Sequence, residues 1–301
     1  MSEEAKISHR AKMIKELVTL FNKNESLRNK FSAGSENPLP EKEYKYSDIY
    51  DVKHIELDNC KAEYIKPKDN FSEWIIIQLH GGGYVGGLKN SYRNLAGLYS
   101  ESGNGAAVLS VDYRLAPKHV FPAALDDALS AYDWALDAGY KENQIILAGD
   151  SAGGGLALGL CHYLKDNERT LPRAIVTMSP WTDLTASGES YKENVDIDPV
   201  FGSRPEAVVG STYIGDDKGD NPYISPLFGD FAGFPNMLVQ VGTDEMLLSD
   251  SKSIVDKAKS AGVSVEYTEY QGMFHVFQMA GKLMPESKQA WEQIKNFISN
   301  L

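Results

Sequence analysis

A serine between two glycines separates an apolar run from a helical stretch of small residues, and this arrangement constrains the fold most. Residues 149–153 read Gly-Asp-Ser-Ala-Gly, between the run Ile145–Ala148 and a helical pattern over 152–164. A strand that turns sharply into a helix needs glycine on both sides, because the backbone is strained and the helix passes close to the sheet. The pattern therefore predicts Ser151 at the tip of such a turn, as a candidate nucleophile beside a helix N-terminus. The alternative is an ordinary glycine-rich turn.

Strand and helix patterns alternate through most of the chain. Short apolar runs, typical of strands covered on both faces, alternate with helical patterns from residue 74 onward. This alternation predicts an α/β fold with a mostly parallel, doubly wound sheet. An edge hairpin before residue 74 brings the sheet to eight strands. The predicted strands are Val52–Leu57, Ala62–Lys66, Ile75–Leu79, Ala107–Val111, Ile145–Ala148, Ala174–Met178, Met237–Val241 and Val265–Tyr270.

Two segments depart from this alternation. Residues 1–45 contain an amphipathic helical pattern around Met13–Phe21, with room for a second helix, and include the Gly- and Pro-rich stretch 34–40. Residues 181–235 lack a strand pattern and are rich in glycine, proline and aromatic residues. Structureless loops of that length are uncommon, so both segments are predicted to form a helical cap over a catalytic domain of residues 46–180 and 236–301. The aromatic residues of the insertion fit pocket lining and cap packing equally well.

Charge and composition limit the classes of binding partner that the protein is expected to have. The net charge is −12 and no basic block is present, which disfavours nucleic acid and anionic membrane surfaces. The apolar runs are too short to span a bilayer, and the first residues lack a signal-peptide pattern. The two cysteines, Cys60 and Cys161, have no metal-ligand spacing. We therefore expect a cytoplasmic protein with reduced thiols and no metal.

A serine nucleophile requires a base, and His275 is the best candidate among the six histidines. It follows the last strand pattern, within Gly272-Met273-Phe274-His275. Loops at the carboxyl ends of parallel strands are where such sheets build their sites. The alternative is a histidine that only packs within its loop.

An acid that orients the histidine is expected after the preceding strand pattern. Asp244 lies at the carboxyl edge of that strand and is the predicted acid. Glu245 and Asp250 are rivals, but Asp250 falls where a helix begins and fits a capping role better.

Donors for a developing oxyanion are predicted in the glycine-rich sequence His80-Gly81-Gly82-Gly83-Tyr84. Glycine leaves backbone N–H groups free to point into a site. The N–H groups of Gly82, Gly83 and Ala152 are the predicted oxyanion hole. Phosphate binding is the weaker interpretation, because the loop lacks both the P-loop lysine and the dinucleotide-binding glycine pattern.

Taken together, these motifs resemble the hormone-sensitive-lipase group of α/β-hydrolases, especially its bacterial carboxylesterases and acetyl esterases. The resemblance rests on His80–Gly83, on 112–117 (Asp-Tyr-Arg-Leu-Ala-Pro), on 149–154, on Gly242–Glu245 and on Gly272–His275, in that order. The acid motif departs from the shorter Asp-Pro-Leu form common among these esterases.

The resemblance implies an α/β-hydrolase fold with a helical cap and a triad of Ser151, Asp244 and His275. It also implies hydrolysis of short- to medium-chain acyl esters of small molecules through an acyl-enzyme, without a cofactor. The resemblance also suggests a homodimer. Alternatives on the same scaffold are a lactone hydrolase, a non-hydrolytic small-molecule receptor and a dehydratase.

Overall fold

A computed structural model describes residues 7–26 and 41–301 of the chain. Its centre is one eight-stranded sheet with the order β1-β2-β4-β3-β5-β6-β7-β8. The strands are β1 (Tyr50–Glu56), β2 (Lys61–Pro67), β3 (Ile75–Leu79), β4 (Ala107–Asp112), β5 (Ile145–Asp150), β6 (Ala174–Met178), β7 (Asn236–Gly242) and β8 (Val265–Tyr270).

The direction of the strands confirms the predicted fold. β1 and β2 form an antiparallel hairpin, β2 pairs antiparallel with β4, and all further pairs from β4 to β8 are parallel. β3 lies between β4 and β5, so the strand order reverses beside it. Leu79 at the end of β3 pairs with Gly149 near the end of β5. The glycine-rich loop and the serine turn are therefore neighbours at the switch point, where open α/β sheets bind ligands.

Seven α-helices lie entirely within the described residues: α1 (His9–Lys23), α2 (Asn90–Ser102), α3 (Ala123–Asp137), α4 (Ala152–Asp166), α5 (Ser190–Glu193), α6 (Leu248–Ser260) and α7 (Pro285–Ser299). The alternating side chains of the strands separate the core into two layers. Ile75 and Ile77 pack in the layer with α3, α4 and α6, whereas Ile76 packs in the layer with α2 and α7. None of the helices in these residues is long and apolar enough to cross a membrane.

The segment 181–235 connects β6 to β7 and contains no strand. Besides the single turn α5, it forms three short 3₁₀-helices, Pro205–Val208, Thr212–Ile214 and Pro226–Phe228. Two hydrogen bonds attach it to α1: Asn22 Nδ2 donates to Pro199 O (3.1 Å), and Ser203 Oγ donates to Asn22 O (3.2 Å).

The predicted amphipathic helix of the N-terminal segment is α1. Ala11, Ile14 and Val18 pack against the loop that carries His275, whereas Met13 and Leu17 are exposed. Its apolar positions thus belong to two faces, of which one is buried. The second helix and the Gly- and Pro-rich stretch considered for this segment fall on residues 27–40, which lie outside the described residues.

Asp250 does not have the predicted capping role. Helix α6 begins at Leu248, before Asp250 and not after it, so Asp250 lies within the first turn of the helix and is buried. Its Oδ2 accepts hydrogen bonds from the backbone N–H groups of Thr182 (2.7 Å) and Asp183 (2.9 Å). The carboxyl group therefore fixes the start of the 181–235 segment. Burial raises the pKa of Asp250 to about 8.

This raised pKa predicts a pH-dependent stability. A carboxyl whose pKa is higher in the folded than in the unfolded protein binds more protons when folded, so stability falls as pH rises toward the folded-state pKa. Between about pH 6.5 and about pH 8 we expect wild type to lose up to about 2 kcal/mol of unfolding free energy through Asp250. Burial raises the pKa of Asp150 to about 7, which adds to the same trend. The buried His80 and His162 oppose it only at lower pH, because burial lowers the pKa of each to about 4.

Thermal melts at the two ends of this window test the expectation. Asp250→Asn keeps an acceptor for the two N–H groups and removes the ionisation, so its melting temperature is expected to change less with pH. Asp51→Asn, at an exposed position on β1, is the matched control and should melt with the wild-type pH dependence. An Asp250→Asn variant with the wild-type slope would contradict the assignment.

Candidate active site

Ser151 lies at the sharp turn between β5 and α4, as the sequence predicts. Its backbone has φ 52° and ψ −124°, a conformation that non-glycine residues rarely adopt. Two hydrogen bonds hold the turn to the end of β6: Ser151 N–H donates to Met178 O (3.0 Å), and Trp181 N–H donates to Ser151 O (2.9 Å). At Gly153 a side chain would collide with the carbonyl oxygens of Leu79 and His80, so this close approach of α4 to the sheet requires glycine.

His275 lies in the loop after β8 and lines the same cavity as Ser151. Its Nδ1 is 2.9 Å from Oε2 of Glu245, and the Phe201 ring lies 4.7 Å away, centroid to centroid. With Nδ1 bonded to a carboxylate, the proton is fixed on Nδ1 and Nε2 is left as the basic nitrogen. The imidazole is therefore arranged as a general base.

The prediction that Asp244 orients His275 is wrong. The side chain of Asp244 faces away from His275 and forms an ion pair with Lys15 of α1. Its Oδ1 also accepts a hydrogen bond from Thr243 Oγ1 (2.9 Å). The residue against the imidazole is the rival candidate, Glu245.

The turn after β7 explains why Glu245, and not Asp244, faces His275. β7 ends at Gly242, and in the turn that follows the Asp244 carboxylate contacts Lys15, whereas the Glu245 carboxylate contacts His275. Asp244 points to α1, where Lys15 also reaches the carbonyl of Gly272 (3.4 Å). Glu245 points inward, toward His275.

The carboxylate of Glu245 is fully buried and hydrogen-bonded on both oxygens. Oε1 accepts hydrogen bonds from Gly242 N–H (2.5 Å) and Ser179 Oγ (2.8 Å), and Oε2 faces His275. Burial raises the pKa of Glu245, and the contact with His275 opposes that rise. A buried carboxylate held in this way stabilises an imidazolium that forms beside it.

The glycine-rich loop after β3 forms the opposite wall of the cavity. Gly82 has φ +111° and Gly83 has φ +64°, and both line the cavity with Ser151. Gly81 N–H donates to Oδ1 of Asp150 (3.2 Å), which ties the loop to the residue before Ser151. Ala152 is the first residue of α4, where the backbone N–H groups have no acceptor within the helix.

The cavity has a volume of about 490 Å³ and mostly apolar walls. Of the aromatic residues in 181–235, Trp181 and Phe201 line it. Tyr213 stacks on Tyr84 with the ring centroids 3.8 Å apart and therefore has a packing role. Sequence reasoning missed the other apolar lining residues, which come from several distant segments: Phe21, Val85, Val200, Ala207, Val208, Val276 and Met279.

The strand order, the turn at Ser151 and the histidine loop define an α/β-hydrolase. A family model described by the α/β-hydrolase fold matches residues 76–279. An acetyl-hydrolase of Streptomyces hygroscopicus is 34% identical over 81% of this chain and 81% of its own length. An esterase of Acinetobacter venetianus is 37% identical over 83% of this chain and 82% of its own.

Solved structures agree with these relatives. An esterase from the bacterial hormone-sensitive lipase family superposes with a TM-score of 0.86 at 32% identity, covering 98% of this chain and 99% of that one. The chain belongs to the hormone-sensitive-lipase group of α/β-hydrolases. It is an enzyme of the carboxylic ester hydrolase class.

Proposed function

We propose that the protein is a serine carboxylesterase acting on short- to medium-chain acyl esters, with a triad of Ser151, His275 and Glu245. The observation that carries the proposal is the cavity shared by Ser151 and His275, behind which the buried Glu245 carboxylate holds Nδ1 of the imidazole. A nucleophile, a base and a group that orients the base are the components of this chemistry.

In the proposed reaction, Oγ of Ser151 attacks the ester carbonyl carbon while Nε2 of His275 takes the hydroxyl proton. The negative charge on the former carbonyl oxygen is stabilised by the N–H groups of Gly82, Gly83 and Ala152. His275 then donates the proton to the leaving alkoxide, which leaves an acyl group on Ser151. Water, deprotonated by His275, attacks this acyl-enzyme. His275 then returns the proton to Oγ of Ser151 as the bond to the acyl group breaks and the carboxylic acid leaves.

The cavity favours small, uncharged esters. Its volume of about 490 Å³ and its apolar walls suit a short acyl chain with a small alcohol. We propose that α1 and the segment 181–235 form a cap, since both contribute lining residues, Phe21 and Val208 among them. The relatives support this substrate class, since one of them is named an acetyl-hydrolase. Crystals of EstE5, whose structure is 31% identical to this chain and superposes with a TM-score of 0.85, were soaked with p-nitrophenyl butyrate.

A series of p-nitrophenyl esters tests the substrate class. We expect kcat/KM to be highest with acetate or butyrate, lower with octanoate and lowest with dodecanoate, because a longer chain exceeds the space between the walls. The esters are compared below their micelle-forming concentrations. A preference for dodecanoate would contradict the proposal.

Lactone hydrolysis uses the same groups and is the second candidate, since a lactone is an internal ester. The contact between His275 and Glu245 supports catalysis over a receptor function, because a binding protein does not require an oriented base. The sharp turn at Ser151 supports hydrolysis over dehydration, because elimination of water needs a base but no serine nucleophile. We propose that the enzyme works without a metal or cofactor, as every step above uses only groups of the chain, the ester and water. The homodimer and the cytoplasmic location stay predictions.

A further inference from the structure

Ser179 is a buried residue that the mechanism above does not use. It directly follows β6, has no exposed surface and has a left-handed backbone with φ +48°. Its N–H donates to Gln240 O on β7 (2.7 Å). It also lies between Met178 and Trp181, the residues whose backbones hold the turn at Ser151.

The hydroxyl of Ser179 joins the acid to the loop of the base. Its Oγ lies 2.8 Å from Oε1 of Glu245 and 3.1 Å from the backbone nitrogen of Val276, the residue after His275. A backbone N–H can only donate and an ionised carboxylate can only accept. The hydroxyl therefore donates its proton to Glu245 and accepts from Val276, and neither direction can be reversed.

We propose that Ser179 is a positioning residue that holds the Glu245 carboxylate and the His275 loop in register with Ser151. The proposal rests on the esterase function proposed above and adds a fourth residue to its machinery. Ser179 does not line the cavity, so it acts on the acid and the base and not on substrate binding. Residues 178–181 at the end of β6 thus contact the turn at Ser151, the Glu245 carboxylate and the loop that carries His275.

Removal of the hydroxyl has two local consequences. Oε1 of Glu245 keeps only Gly242 N–H as a donor, and Val276 N–H loses its acceptor. A carboxylate with fewer donors binds a proton more tightly, so Glu245 loses the charge that supports the imidazole at a higher pH than in wild type. The other charged groups that face the Glu245–His275 pair, Asp198 and Asp150, are unchanged by the substitution.

The test compares Ser179→Ala with Ser110→Ala in the full-length enzyme, using p-nitrophenyl acetate from pH 5 to pH 9 in about half-unit steps. Ser110 on β4 is the matched control, because its hydroxyl is also buried and donates to a side-chain oxygen, Oε1 of Gln78 (2.7 Å). For Ser179→Ala we expect kcat to fall roughly 10- to 100-fold while KM stays within about threefold. In the profile of kcat against pH, we also expect the acid limb to shift to higher pH by about one unit. Ser110→Ala should keep the wild-type profile.

Ser179→Gly provides the same test with a residue that suits the left-handed backbone, in case the alanine variant does not fold. The proposal is overturned if folded Ser179→Gly or Ser179→Ala has the kcat and acid limb of Ser110→Ala. It is also overturned if kcat falls without any shift of the acid limb, since loss of a purely structural hydrogen bond would have that effect. A wild type that does not hydrolyse esters would instead overturn the proposed function, and the two failures are therefore distinguishable.

Discussion

Ser151→Ala is expected to lose about 10⁶-fold in kcat toward p-nitrophenyl acetate. The substitution removes the only atom that can form the proposed acyl-enzyme and leaves His275, Glu245 and the glycine-rich loop in place. The loss should fall on kcat, because the walls of the cavity still bind the ester. The remaining activity is measured as initial rates at saturating ester, with the concentration of the variant raised until its rate is measurable.

Ser211→Ala is the matched control for this variant. Ser211 lines the same cavity, and its hydroxyl accepts a hydrogen bond from Tyr213 N–H (3.1 Å) at the start of a 3₁₀-helix. We expect its kcat within about tenfold of wild type, because the substitution removes no reacting group and the lost cap hydrogen bond lowers stability by only about 1 kcal/mol. A Ser151→Ala variant that keeps activity within tenfold of Ser211→Ala would show that Ser151 is not the nucleophile.

Glu245→Gln is expected to lose about 10⁴-fold in kcat, whereas Asp244→Asn should stay within about tenfold of wild type. The glutamine keeps the size of the side chain but removes the charge that stabilises the imidazolium. Its amide can also turn an N–H toward Nδ1 and favour the wrong tautomer. Asp244→Asn weakens only the contact with Lys15, which is partly exposed and far less costly to lose.

These two variants separate neighbouring residues, so each serves as the control for the other. Near- and far-ultraviolet circular dichroism establishes that both are folded before rates are compared. A reversed order, with Asp244→Asn inactive and Glu245→Gln active, would show that Asp244, as the sequence predicted, is the acid that supports His275. Equal losses in both would indicate that the loop as a whole, and not one carboxylate, supports His275.

The sheet and the position of Ser151 were predictable because their signals are local. Each buried strand, such as Ile75–Leu79, is a short apolar run, and the turn at 149–153 needs glycine for steric reasons that appear directly in the sequence. The same holds for His275, which lies in the loop at the carboxyl end of β8. Local patterns with a physical cause therefore located two of the three proposed triad residues.

The acid was not predictable in the same way. Asp244 and Glu245 are adjacent carboxylates after one strand, and only the direction of the turn decides which one faces His275. That direction depends on contacts with distant segments. Asn194 Nδ2, for example, donates to the carbonyl of Glu245 (2.8 Å), and the N–H of Met246 donates to Oδ2 of Asp198 (2.8 Å).

The residues that line the cavity could not be predicted from the sequence either. Phe21 and Val208 come from parts of the chain that are nearly two hundred residues apart, and no periodic pattern connects them. Ser179 had one available signal, since it follows directly on a predicted strand at the edge where the site forms. Its two hydrogen bonds, however, depend on the loops after β7 and β8.

Covalent labelling with diethyl p-nitrophenyl phosphate tests the central claim most directly, because this reagent phosphorylates an activated serine. Wild type is incubated with the reagent, and peptide mass spectrometry locates the added diethylphosphoryl group. The account predicts one group per chain, on Ser151, with loss of esterase activity in proportion to labelling and no labelling in Ser151→Ala. Esterase activity that persists while Ser151 is fully modified, or loss of activity with the label on another residue, would contradict it.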